Sequence, residues 1–265
     1  MPVHIISILF FMFQKILRME SRWSISGIPI LGFVRADYLI ICGDFGLVWD
    51  PEESKRERWW LEEKPYTTCF IDGNHENFTR LQSLPTETWN GGTVHKIREH
   101  VIHLMHGEYY CIGGISMFTF GGARSHDIRG LADDAALQRD YTAGVLKQDD
   151  PLFLEKKKRL ERKGGVTRVE EKTWWRAEMP SESEMRHGME MLRKHGGKVD
   201  VILSHEGPSS SVALLEDGAG TDPLMEYLER VKQGTEYSQW FFGHHHMDRR
   251  ITEKDTVVYE KILRI

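Results

Sequence analysis

The sequence predicts an α/β layered domain. Three observations carry that reading. Short apolar runs rich in β-branched and aromatic residues recur along the chain, helical stretches lie between some of them, and four of the runs end in polar, mostly glycine-flanked loops. With 265 residues, 40% of them hydrophobic, the chain can bury one sizeable core. Its formal net charge of −5 provides no global basic field for nucleic acid. The odd set of cysteines, Cys42, Cys69 and Cys111, sits in apolar, strand-like runs and points to reduced thiols in a cytoplasmic protein.

The elements follow in order. "VHIISILFFMF", Val3 to Phe13, is far shorter than the ~20 residues that span a bilayer. It lacks a basic flank and a small-residue cleavage site, so it is expected as a buried strand or core segment, with a targeting or membrane-surface segment as the alternative. "YLIICGD" reads as a strand that stops at Gly43-Asp44. "PEESKRERWWLEEK" reads as a helix with Pro51 in its first turn, and Trp49, Trp59 and Trp60 as packing residues. "TTCFIDGN", "VIHLMHGEYYCIGG" and "SMFTFGGA" are further strands.

Residues 124–180 differ, being charged and poor in aliphatic runs, and are expected as a helical insertion over one face. Glu155 and Glu161 interleave with the bases of "EKKKRLERKGG", the pattern of a solvated helix face more than of a nucleic-acid grip. "VDVILSHEGP" is a strand. "SESEMRHGMEMLRKHGG" is a helix with a capping box from Ser181 to Glu184 and a stop at Gly196-Gly197. "DPLMEYLERVKQG" is a helix capped by Asp222 and stopped at Gly234, and "QWFFGHHH" and "TVVYEKILRI" close the chain as strands.

The chemistry lies where the strands stop. One ends in Gly43-Asp44, the next in "DGNHE", a later one in "SHEGP" with His205, and another in "GHHH", Gly243 to His246. In α/β folds, ligand sites assemble at the carboxyl ends of strands. Each motif alone is an ordinary turn or core histidine; together, each directly after an apolar run, they make a set of oxygen and imidazole donors. That set suits Mn²⁺, Fe or Zn²⁺ better than a soft-metal site. In an extended chain His244 and His246 would point to one side and His245 away. The glycines before these motifs would let backbone approach the site closely. "FTFGGARSHD" places Arg124, Ser125 and His126 after another strand end, where Arg124 and His126 are candidates for contacting substrate phosphate.

Taken together, "GD" at 43–44, "GNHE" at 73–76, the single His205 and "GHHH" at 243–246 resemble the calcineurin-like metallophosphoesterases over residues 37–265. The resemblance implies a four-layer αββα sandwich around a dinuclear metal centre. In it Asp44 would bridge two metals, Asn74, His205 and His244 would complete one, and His246 would serve the other. His75 would stand near the scissile phosphoryl group as the catalytic histidine, with Glu76 orienting it. The implied activity is a hydrolase, phosphatase or phosphodiesterase, that cleaves a phosphoester by metal-activated water. Its substrate would be a small molecule, a nucleotide or a phosphoprotein, with no membrane partner. The other reading is a catalytically inactive metal- or phosphate-binding relative acting through interactions, and a third is a nuclease using the basic insertion.

One motif of the pattern, D-x-H, is missing. Residues 1–36 contain no Asp, and their one histidine is His4, so this segment is atypical and stands in place of the first strand and its D-x-H. One metal keeps its full set while the other keeps Asp44 and His246, so the cofactor is two divalent ions or one. Three explanations of the gap stay open: a displaced start or reading frame, a mononuclear or inactive relative, or ligands recruited from Glu20, His103 or His126.

Overall fold

A computed structural model describes residues 3–6, 37–49, 52, 54–126, 128, 144–162, 167–215 and 220–265. In chain order its strands are β1 (Val3–Ile6), β2 (Asp37–Cys42), β3 (Tyr66–Ile71), β4 (Thr86–Trp89), β5 (Gly92–Arg98), β6 (Val101–Leu104), β7 (Glu108–Ile112), β8 (Ile115–Phe120), β9 (Val145–Leu146), β10 (Arg168–Val169), β11 (Lys198–Ser204), β12 (Glu236–Phe242), β13 (Arg249–Arg250), β14 (Asp255–Val257) and β15 (Leu263–Arg264). The described helices are α1 (Lys55–Glu62), α2 (Phe78–Gln82), α3 (Phe153–Arg162), α4 (Glu182–Lys194), α5 (Ser209–Val212) and α6 (Pro223–Gly234).

The strands form two large sheets. One has the order β15-β1-β2-β3-β6-β5-β4, the other β13-β14-β12-β11-β8-β7. Within the first, β1, β2, β3 and β6 run parallel; within the second, β8, β11, β12 and β14 do. Side chains of a strand alternate between faces, and the core follows that alternation. Ile40 and Cys42 of β2, Cys69 and Ile71 of β3, and Val201 and Leu203 of β11 share one cluster, so their faces are turned towards each other and the two sheets pack together. The intervening Leu39, Ile41 and Phe70 face Leu61 of α1 and Leu81 of α2. Ile202 and Trp240 face Leu192 of α4 and Leu224, Leu228 and Val231 of α6. The result is the four-layer αββα sandwich. Burial on both faces explains why β2 and β3 read as continuous apolar runs.

The helix punctuation lies where the sequence places it. Ser181 Oγ accepts from Glu184 N while Glu184 Oε2 accepts from Ser181 N, closing the capping box of α4. Asp222 Oδ1 accepts from the N–H groups of Leu224 and Met225, capping α6. Of the N-terminal run, Val3–Ile6 forms β1, parallel to β2, and Val3 is fully buried. The rest of that run, with Glu20 and Pro51, lies outside the described residues. Among the described residues of 124–180, α3 is joined by the two-stranded β9–β10 sheet and the 3₁₀ turn Arg176–Glu178, so this part is mixed and not helical alone. Its Trp174 and Trp175 are buried, because Trp175 packs edge-on to Trp49 and donates to Thr79 Oγ1 at 2.8 Å. All three cysteines are free thiols. Among the described residues no helix is long and apolar enough to cross a membrane.

Candidate metal centre

β2, β3, β8, β11 and β12 each end with their next residues in the same region, and the backbone there is contorted. Five described non-glycine residues have positive φ, and three of them are Asp44 (54°), His244 (62°) and His246 (50°). Left-handed backbone is costly for such residues and collects at functional sites, where surrounding structure enforces it. This also corrects the extended-chain argument for "GHHH". His244 and His246 do not belong to an extended segment; each takes a left-handed turn after β12 ends at Phe242.

Three acceptors converge at the centre. His205 is buried, and its Nδ1 lies 2.8 Å from the carbonyl oxygen of Cys42. A carbonyl can only accept, so Nδ1 carries the proton, and the lone pair of a neutral His205 ring sits on Nε2. That Nε2 lies 3.2 Å from Asn74 Oδ1 and 3.4 Å from Asp44 Oδ1. Three lone pairs facing each other repel unless a positive charge joins them, either a second proton on His205 or a metal ion. Burial alone would raise the pKa of Asp44, but the charge and hydrogen bond of His205 outweigh it and hold the carboxyl well below its usual range. His205 answers in kind: burial would lower its pKa, and Asp44 raises it. The donor set therefore fits a divalent cation.

The aim of Asn74 is set from outside. Its Nδ2 donates to Ser125 Oγ at 3.1 Å, and Ser125 Oγ donates to Glu178 Oε2 at 2.5 Å. Glu178 Oε1 also accepts from Ser125 N, and the residue is fully buried. Because Glu178 takes the hydroxyl proton, Ser125 can only accept from Asn74, so the amide nitrogen turns outward and Oδ1 inward. Ser125→Ala is expected to release that constraint and weaken Mn²⁺ binding by roughly 10–100-fold, the usual cost of losing such an outer partner, as read by titration calorimetry.

The remaining candidates fall as follows. His75 N donates to Asp44 Oδ1 at 3.0 Å, and burial lowers the pKa of its ring, with the charge of Arg168 on β10 adding to that. Glu76 is fully buried and accepts from Gly46 N at 3.2 Å. Through Gly46 N it holds the loop that carries Asp44. Burial, with Asp44 adding, raises its pKa well above the usual value. His246 is exposed and stacks on Tyr259, and its ring still senses Asp44, His205 and His75. Arg124 is half-buried and its charge acts on Asp222. His126 is exposed and meets His244. His103 is no replacement ligand: it is buried, bonded to Asp72 and His95.

Glu178, Glu206 and Arg168 were not among the sequence candidates, and Ser125 was named only as part of the Arg124–His126 loop. Ser125 lies inside the glycine-rich loop already noted, and Glu206 directly follows His205. Nothing in the sequence around Glu178 sets it apart from an ordinary acidic residue. Against known families, the model described as calcineurin-like phosphoesterase matches residues 25–248, most of the chain. A search of curated proteins finds no match.

Proposed function

The chain belongs to the calcineurin-like phosphoesterase family, whose members are in general metal-dependent hydrolases of phosphoester bonds, and on that premise we propose that it hydrolyses a phosphomonoester or phosphodiester. The observation that carries the reading is the convergence of Asp44 Oδ1, Asn74 Oδ1 and His205 Nε2, a set of acceptors that a divalent cation would satisfy. Asp44, Asn74, His205, His244 and His246 are the residues that would hold divalent ions. When bound, such ions supply Lewis-acid polarisation of phosphoryl oxygens and make water acidic enough to attack.

The chain's own groups do the rest. Asp44 holds its carboxylate ionised and accepts the His75 N–H, which fixes the backbone that presents the His75 ring. That ring supplies a hydrogen bond or a proton to the leaving oxygen. The positive charge of Arg168 also acts on the His75 ring and would favour an anionic substrate. Substrates of small-molecule, nucleotide or phosphoprotein type all present the phosphoryl group such a site reads. The reaction is tested with the metal-stripped chain, bis-p-nitrophenyl phosphate and added Mn²⁺. Mn²⁺-dependent turnover that falls about 100-fold or more in Asp44→Asn and His75→Ala is expected. Absence of turnover in the wild-type chain with bound metal would favour the non-catalytic relative.

A further inference from the structure

His244 has a second set of neighbours besides the converging acceptors. Its Nε2 lies 2.6 Å from Nε2 of His126, in the loop after β8, and 3.7 Å from Oε2 of Glu206, after β11. One ligand atom from each of the three residues lies within 4.8 Å of the others. Glu206 is buried and oriented. Its Oε1 accepts from Gly207 N at 2.7 Å and bonds His245 Nε2 at 2.9 Å, leaving Oε2 as the oxygen turned to His244. A carboxylate held by an imidazole and a backbone N–H is how proteins fix metal ligands. It also gives His245, the middle residue of "GHHH", a structural task.

We propose that His126, Glu206 and His244 form a second divalent-cation site, of the two-imidazole, one-carboxylate type that suits Zn²⁺, alongside the Asp44–Asn74–His205 set. Three loops deliver the ligands, and the exposure of His126 leaves one side open for water, as in three-ligand zinc sites. With two nitrogen donors in three, it favours Zn²⁺ or Co²⁺ over Mn²⁺. The Asp44 set offers two oxygens to one nitrogen and leans the other way. Because Nε2 of His244 serves this site, an ion on the Asp44 side has only Nδ1 of that ring to use.

The test uses the full chain stripped of metal and titrated with Co²⁺, read by its visible d–d absorption, and with Zn²⁺, read by stoichiometry. Asp44→Asn disables the family-type set and is expected to keep one Co²⁺ with the intense band of four-coordinate geometry. His126→Ala, at an exposed position, and Glu206→Gln are expected to remove that ion in the Asp44→Asn background. Thermal melts of the stripped variants check that they fold. Unchanged Co²⁺ spectrum and Zn²⁺ stoichiometry in His126→Ala overturn the proposal, as does loss of all Zn²⁺ binding in Asp44→Asn. Phosphoester turnover is not read, so a chain without turnover that keeps this ion leaves the site standing while the proposed function falls.

Discussion

Asp72→Ala is expected to lower the stability of the chain by about 3–5 kcal/mol, which for a domain of this size is a melting shift on the order of 10 °C. Asp72 is almost fully buried and joins two histidines, with Oδ1 3.0 Å from His103 Nε2 and Oδ2 2.7 Å from His106 Nε2. His103 continues to His95 at 3.0 Å, and His106 Nδ1 lies 3.4 Å from Glu184 Oε1, an ion-pair separation. The network thus ties the end of β3 to the first turn of α4. Burial alone would lower the pKa of His106, but Asp72 and then Glu184 raise it to about 10. Burial likewise opposes ionisation of Asp72, and the two histidines still hold it far below the normal carboxylate value.

The sign of the pH dependence follows from these directions. His106 has a raised folded value, so its contribution is complete below its unfolded pKa of about 6.5 and is lost as pH climbs to about 10. Asp72 has a lowered folded value, so its contribution is complete above about 4 and lost only in strong acid. The stability difference between wild type and Asp72→Ala is therefore largest between about pH 4 and 6.5 and narrows towards pH 10. Urea denaturation at pH 6 and 9.5 measures it; equal differences at the two pH values would refute the charged pair.

What was legible beforehand follows from the range of the signals. The helix caps at Ser181 and Asp222 are local, made by residues two or three apart, so the sequence displays them directly. The strand ends are nearly as legible, because β2 and β3, and β11 over its last four residues, are buried on both faces and their apolar runs stop where the core stops. The D-x-H gap was visible for the same reason, as a missing local pattern. Glu178 was not visible: it reaches Ser125 across 53 residues, and nothing in "RAEMP" distinguishes a buried carboxylate from a solvated one. His103 misled in the opposite direction, because an apolar strand bearing a histidine reads alike whether the ring holds a metal or Asp72. The arrangement of His244 and His246 failed for a third reason. The period-two rule holds only while the strand continues, and both residues sit in left-handed turns beyond its end.

Gly43→Ala is expected to abolish high-affinity Mn²⁺ binding, weakening it by about 100-fold or more, while the comparable change Gly114→Ala leaves it intact. Both glycines have positive φ, 94° and 87°, so alanine carries a similar backbone penalty of about 1–2 kcal/mol at either position. They differ in what the new methyl meets. At Gly114 nothing lies within 4 Å, whereas at Gly43 the Cβ would fall 1.9 Å from His205 Nδ1 and 2.4 Å from its Cγ. His205 has no easy retreat. It is buried, and its Nδ1 is bonded to the carbonyl of Cys42, the residue just before Gly43. Moving the ring breaks that bond, frees the tautomer and withdraws Nε2 from Asp44 and Asn74. The Gly43 variant is therefore expected to lose both stability and metal, and the Gly114 variant a small amount of stability alone. Melting temperature and Mn²⁺ affinity on both variants separate the two effects. Equal Mn²⁺ affinities would mean that close packing of backbone against His205 does not hold the site together.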